Sequence, residues 1–143
     1  MGWRDMTAEE LTTLPETRLG GALLWMVAAA LLICVVAVAG AALAFHQLRD
    51  IGGRYMISVG FVAIWSFAFV VLTLLRARVT PVVAGAGLVV WIAYRFSVAL
   101  LGQAGWPLAV DLLGEAVLAA GFCGYMDGGV RPNAYYRRRL PTS

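Results

Sequence analysis

Three charged residues stand where charges are costly. Arg95, Asp111 and Glu115 lie inside long apolar runs of a 143-residue chain. Asp111 and Glu115 are four residues apart, so on a helix they share one face. A guanidinium fork can serve both carboxylates at once. Such a set is open to three chemistries: a structural ion pair, an exchangeable proton or cation site, and acid–base catalysis. The third has the least behind it. There is no Ser–His–Asp set, no glycine-rich phosphate loop after a strand, no Cys–His pair at a telling spacing and no cluster of metal ligands. No catalytic residue, metal or cofactor is therefore expected, and the chain reads as non-enzymatic. An unpaired charge in a bilayer costs about 2.5–3.5 kcal/mol. Pairing Arg95 with one of the acids offsets much of that cost, so a polar clasp between helices is the favoured reading. Transport through Glu115 or Asp111 is the competing one, although an always-charged Arg95 works against proton uptake near neutral pH.

The elements that carry these residues are membrane helices. The composition is 62% hydrophobic and 13% charged, against about 25% charged for a soluble domain. Apolar runs of about twenty residues recur, the length that crosses a bilayer core. The expected fold is all-α: an integral-membrane, antiparallel bundle of four transmembrane helices at about 21–45, 55–75, 81–101 and 106–126. The domain plan is a cytoplasmic segment 1–19, a membrane domain 20–126 and a basic cytoplasmic tail 127–143. The first run is too long for a signal peptide and follows an acidic-leaning segment, so it reads as an uncleaved span.

The third and fourth spans form a hairpin around Gly102-Gln103-Ala104-Gly105. Residues at equal depth then have numbers summing to about 207, which sets Arg95 level with position 112, between the two acids. Arg95 is six residues before Leu101, roughly 9 Å inside at 1.5 Å per residue.

The remaining polar residues have plainer readings. Thr7 and Glu10 have capping-box spacing, so a short helix is expected there, ended by Pro15. Trp3, Met6, Leu11 and Leu14 suit a headgroup surface. His46 sits in a polar loop, 46–54, and no second histidine exists to pair with it at a haem. Cys34 and Cys123 lie in apolar runs and read as small packing residues. Ala30, Cys34, Val38 and Ala42 recur every four residues, as do Ala116, Ala120 and Gly124, a spacing that lets helices approach closely. Phe61, Trp65 and Phe69 form an aromatic ridge, and Trp106 and Tyr125 fit the two interfacial belts.

Every basic residue is arginine. Arg4, Arg18, Arg76, Arg78, Arg131, Arg137, Arg138 and Arg139 fall on one side of the predicted spans, and only Arg49 and Arg54 on the other. The positive-inside bias therefore predicts both termini in the cytoplasm. The positive net charge follows from this topology and does not point to nucleic acid. In the tail, Gly128-Gly129 is expected to end the last helix and Pro132 to prevent its continuation. Arg131, Tyr135, Tyr136, Arg137, Arg138 and Arg139 then face anionic lipid headgroups, or a partner protein.

That tail also carries a resemblance. Tyr125, Gly129, Arg131 and Tyr136 fall on a pattern of tyrosine, small residue, arginine and aromatic, and Gly20-Gly21-Ala22-Leu23-Leu24 opens the first span. On these residues the chain, from Leu19 to Tyr136, resembles the small four-helix bacterial inner-membrane proteins of the domain-of-unknown-function 2569 family. Pro132-Asn133 stands where that family usually has an aliphatic residue and a lysine, and a glycine replaces a usual serine. The resemblance implies four membrane helices and a place in the cell inner membrane, and it implies no activity. The function expected is that of a small structural or accessory subunit in a larger membrane-protein complex. The alternative is a proton- or cation-coupled transporter acting as a homo-oligomer.

Overall fold

A computed structural model describes residues 2–43, 45, 53–101 and 106–142. The chain is mostly helical. In order, it runs β1 (Trp3–Asp5), α1 (Ala8–Thr13), a 3-10 turn (Pro15–Thr17), α2 (Gly21–Leu43), α3 (Gly53–Leu74), α4 (Thr80–Leu101) and α5 (Trp106–Gly128). A helical turn (Val130–Pro132), a π turn (Asn133–Arg137) and β2 (Arg139–Pro141) follow. Helices α2 to α5 are each long and apolar enough to cross a bilayer. Their bounds match the four expected spans to within about two residues, the latitude normal at helix ends. Loop 46–52, with His46 and Arg49, and the turn 102–105 lie outside the described residues, as do the side chains of Arg54 and Trp106.

The chain divides into two compact units. One is Leu19–Ala77, the pair α2 and α3. In α2, Leu23, Val27 and Ala30 are buried, one helical stripe at three- and four-residue steps. The small-residue stripe expected further along is only partly used. Ala30 is buried and Cys34 half-buried, but Val38 and Ala42 are exposed. The Cys34 Sγ lies 3.6 Å from the Ala63 carbonyl oxygen and donates to it, so this thiol packs as a small residue at the α2–α3 contact. In α3, Trp65 stacks on buried Phe69 at 5.9 Å between ring centroids. The helix ends in a Schellman motif with Arg76 in the left-handed region, φ 51°. The Arg76 N–H donates to the Thr73 carbonyl and the Ala77 N–H to that of Leu72, which satisfies two orphan carbonyls without a glycine.

The second unit joins Met1–Arg18 to Arg78–Ser143. Its larger part is the α4–α5 hairpin. Pro81 sits in the first turn of α4, where its missing N–H costs nothing. The two helices are antiparallel, since Gly85 faces Cys123 while Arg95, ten residues on, meets Glu115.

The smaller part of this unit is a cap built from both chain ends. Strands β1 and β2 pair antiparallel, Trp3 opposite Pro141, Arg4 opposite Leu140 and Asp5 opposite Arg139. The Met6 N–H extends the ladder to the Arg138 carbonyl at 3.0 Å. Helix α1 carries the full capping box: the Glu10 N–H donates to Thr7 Oγ1, and the Thr7 N–H to the Glu10 carboxylate. The N-terminal segment is therefore tied into the protein rather than lying alone against headgroups.

The tail departs from expectation. Gly128 does end α5, but Pro132 does not stop helix formation. The chain restarts one residue beyond Gly129, and Pro132 falls in the first turn of the new helix, where no intrahelical N–H bond is required. The turn widens to a π turn, closed by Arg138 in the left-handed region at φ 55°. Tyr135 and Tyr136 are buried, their rings edge to face at 5.0 Å.

Candidate functional site

The hairpin brings Arg95 and Glu115 together. Arg95 Nη2 donates to Glu115 Oε1 at 2.9 Å, and Nε to Oε2 at 3.3 Å. This is the two-pronged geometry that fixes both partners. A third donor completes the site: Trp91 Nε1–H reaches Glu115 Oε2 at 3.1 Å. Trp91 is one helical turn from Arg95, and the Arg95 guanidinium carbon lies 5.9 Å from the centre of its ring. Tyr94 packs obliquely on Trp91 at 6.0 Å. Glu115 thus accepts three N–H bonds from one face of α4. The pair is shielded but not sealed, with the Arg95 and Glu115 side chains 29% and 31% exposed.

Sequence reasoning named Arg95 and Glu115 and missed Trp91. The signal was available: an indole N–H inside a membrane span needs an acceptor, and Trp91 shares the Arg95 face by four-residue spacing.

Asp111 is not in the cluster. It is exposed on α5, and its carboxylate makes no hydrogen bond or ion pair with any described residue. Helical side chains lean toward the N-terminus of their own helix, and this explains the choice of acid. In an antiparallel hairpin, Arg95 on α4 leans away from the connecting turn and Glu115 on α5 leans toward it. The two side chains converge. Asp111, one turn nearer the connection, leans away from Arg95.

To one side of the α4–α5 seam run two adjoining apolar hollows of about 620 and 500 Å³ that share Ile92, Phe96 and Ala116. No charged side chain lines either one. They offer van der Waals surface, and Cys123, a free thiol, lines the second. Among the described residues no His, Cys, Asp and Glu gather in a group able to hold a metal ion.

The tail arginines are placed individually. Arg131 Nη1 donates to the carbonyls of Pro15 and Arg18, 3.2 Å each, and so joins the two chain ends. Arg137 Nη1 reaches Asp127 Oδ1 at 3.0 Å and Asn133 Oδ1 at 3.1 Å. Arg139 meets Asp5 at 3.3 Å. Arg138 is exposed. Buried Asn133 sends its amide to the carbonyls of Asp127 and Gly129, at 2.6 and 3.0 Å, and pins the turn that leaves α5. The expectation that Tyr135 and Tyr136 contact headgroups is corrected here. Their rings are 6% and 1% exposed and form the core of the cap. The motif of Tyr125, Gly129, Arg131 and Tyr136 gains a structural meaning. A Cβ on Gly129 would lie 2.4 Å from the Tyr125 carbonyl oxygen, Arg131 binds the N-terminal segment, and Tyr136 fills the centre.

At the far end of the cap, Arg4 grips Glu10 through both guanidinium nitrogens. That bond, with the Thr7 N–H, holds the Glu10 carboxyl down at about 2, and the same bond raises Arg4.

No family model, curated protein or solved structure matches the chain.

Proposed function

We propose that this is a small, non-enzymatic, multi-pass inner-membrane protein that serves as a structural or accessory subunit of a larger membrane assembly. In this reading α2 to α5 form an antiparallel four-helix bundle. Eight arginines against two support an orientation with both termini, and hence the cap, in the cytoplasm. The resemblance to the domain-of-unknown-function 2569 family is consistent with that architecture. One observation carries the functional part: Arg95, Trp91 and Glu115 satisfy one another across the α4–α5 seam. A clasp of this kind specifies helix rotation and register, and no charged side chain lines the groove beside it. Arg138 and the exposed edges of the cap supply cations for anionic headgroups.

The second reading is a proton- or cation-coupled transporter acting as a homo-oligomer. Asp111 favours it, as an exposed acid in a span with no partner among the described residues. Purification from native membranes with mass spectrometry separates the two. A stoichiometric foreign membrane protein is expected. A homodimer whose proton flux in liposomes is lost on Glu115→Gln or Asp111→Asn would overturn the accessory reading.

A further inference from the structure

The cap closes the chain on itself. Among the described residues, β2 has one neighbouring strand, β1. The ladder runs past both strands: the Met6 N–H donates to the Arg138 carbonyl at 3.0 Å and the Thr142 N–H to the Gly2 carbonyl at 2.9 Å. Arg131 adds its two bonds to the Pro15 and Arg18 carbonyls. Asn133, Tyr135 and Tyr136 are buried within this closure. The order of the tail thus depends on the N-terminal segment.

The two halves of the cap are made far apart in time. Asp5 and Arg139 are separated by 134 positions, with α2 to α5 between them, and the N-terminal end is synthesised first. Bonds within the N-terminal segment are local, Thr7 with Glu10 and Arg4 with Glu10, so it takes shape while its partner is still to come. A strand crossing the hydrocarbon unpaired would leave its backbone N–H and C=O groups unsatisfied. Pairing of β1 with β2 therefore requires both chain ends on one face of the membrane, and so an even number of spans between them. The four apolar helices meet that requirement.

We propose that the cap is a check on completed insertion. It closes over the tail when an even number of spans has brought both chain ends to one face, and otherwise leaves residues 129–142 open to proteases. A terminus that is not tied down is where proteolysis concentrates, and an open tail exposes the two tyrosines as well. The inference rests on the multi-pass membrane reading and gives the N-terminal segment a regulatory role within it.

The test uses the whole chain in sealed membrane vesicles. Cys34→Ala and Cys123→Ala remove the native thiols, and Asp5→Cys with Arg139→Cys places a new pair on register partners whose exposed ion pair contributes little. Oxidation should join the two ends, read as a mobility shift on a non-reducing gel. A leucine–alanine span of about twenty residues, inserted between Ala77 and Arg78, makes the number of spans odd. It should abolish the crosslink and raise cleavage within 129–142 by about tenfold, because cleavage tracks the open fraction of the cap. Two such spans restore the even number and should restore both readouts. Deleting residues 2–6 should raise cleavage as the single insertion does, with the spans unchanged. The proposal is overturned if the uninserted chain fails to crosslink, if two inserted spans are no better than one, or if the tail is cleaved at one rate in every chain. Release of the uninserted chain by alkaline carbonate with its crosslink intact would remove the multi-pass reading itself; a chain that stays embedded and does not crosslink removes the check alone.

Discussion

Removing Arg95 should cost more than removing Arg95 and the Glu115 charge together. Arg95→Leu takes away two donors, at 2.9 and 3.3 Å, and leaves Glu115 with the Trp91 indole alone. Glu115 lies seven residues after Leu108, roughly 10 Å inside at 1.5 Å per residue. An unpaired charge at the centre of a span costs about 2.5–3.5 kcal/mol. The retained indole bond and partial exposure lower this to about 2 kcal/mol. Glu115→Gln keeps an acceptor for Trp91 and strands the Arg95 charge, which can reach toward the interface along its aliphatic stem; about 1–2 kcal/mol is expected. The double variant strands no charge, so the single losses should sum to more than the double loss by about 1–2 kcal/mol. Unfolding in mixed micelles by titrated dodecyl sulfate, followed by far-ultraviolet circular dichroism, measures all four corners. Additivity to within about 0.3 kcal/mol, or a double variant no better tolerated than Arg95→Leu, would refute the clasp as an energetic unit.

Three further outcomes follow from the cap and from α3. Gly129→Ala would place a Cβ 2.4 Å from the Tyr125 carbonyl oxygen; it should loosen the tail by about 1–3 kcal/mol, read as faster proteolysis after residue 128 with the spans intact. Because the Glu10 carboxyl sits at about 2 when folded, well below its ordinary value of 4.5, the stability it adds is fully present above about pH 5. It is lost as pH falls from there toward 2, so amide exchange in α1 should accelerate over that window and be flat above it; Glu10→Gln should remove the dependence. Ser66 is fully buried in α3, and its hydroxyl has no hydrogen-bond partner among the described residues. Ser66→Ala should then be neutral or stabilising by about 1 kcal/mol, and a clear loss in the same micelle titration would reveal a partner for that hydroxyl.

The spans were legible because their signal is local and strong. Uninterrupted apolar length locates α2 to α5, and Thr7, Glu10, Pro15 and Pro81 mark turns and caps by their own chemistry. The cap was not legible, for reasons that are equally physical. Strands β1 and β2 are three residues each and pair Asp5 with Arg139 across almost the whole chain, so no periodicity in either segment announces them. Tyr135 and Tyr136 beside three arginines look like a surface tail. They are buried because Arg131 reaches back to the Pro15 and Arg18 carbonyls and closes the N-terminal segment over them. Pro132 was misjudged for a related reason. A proline after a helix signals a stop only if no new helix begins just before it, and Gly129 permits that restart.

The choice between Asp111 and Glu115 shows where a depth argument needs side-chain direction. Counting from the connecting turn sets the Arg95 backbone level with position 112, closer to Asp111 than to Glu115. Backbone level is not where the charges are. A guanidinium sits several ångströms from its Cα, displaced toward the N-terminus of its helix, which in α4 is away from the turn. A carboxylate on α5 is displaced the opposite way. Both shifts favour the acid further from the turn, so Glu115, three positions beyond the level estimate, is the one within 2.9 Å. The same two shifts carry Asp111 out of reach. The pairing and the open acid thus have one cause, the handed tilt of side chains on antiparallel helices. If Asp111 and Leu112 exchanged identities, the acid would still lean away from Arg95, and Glu115→Gln would not be rescued by it.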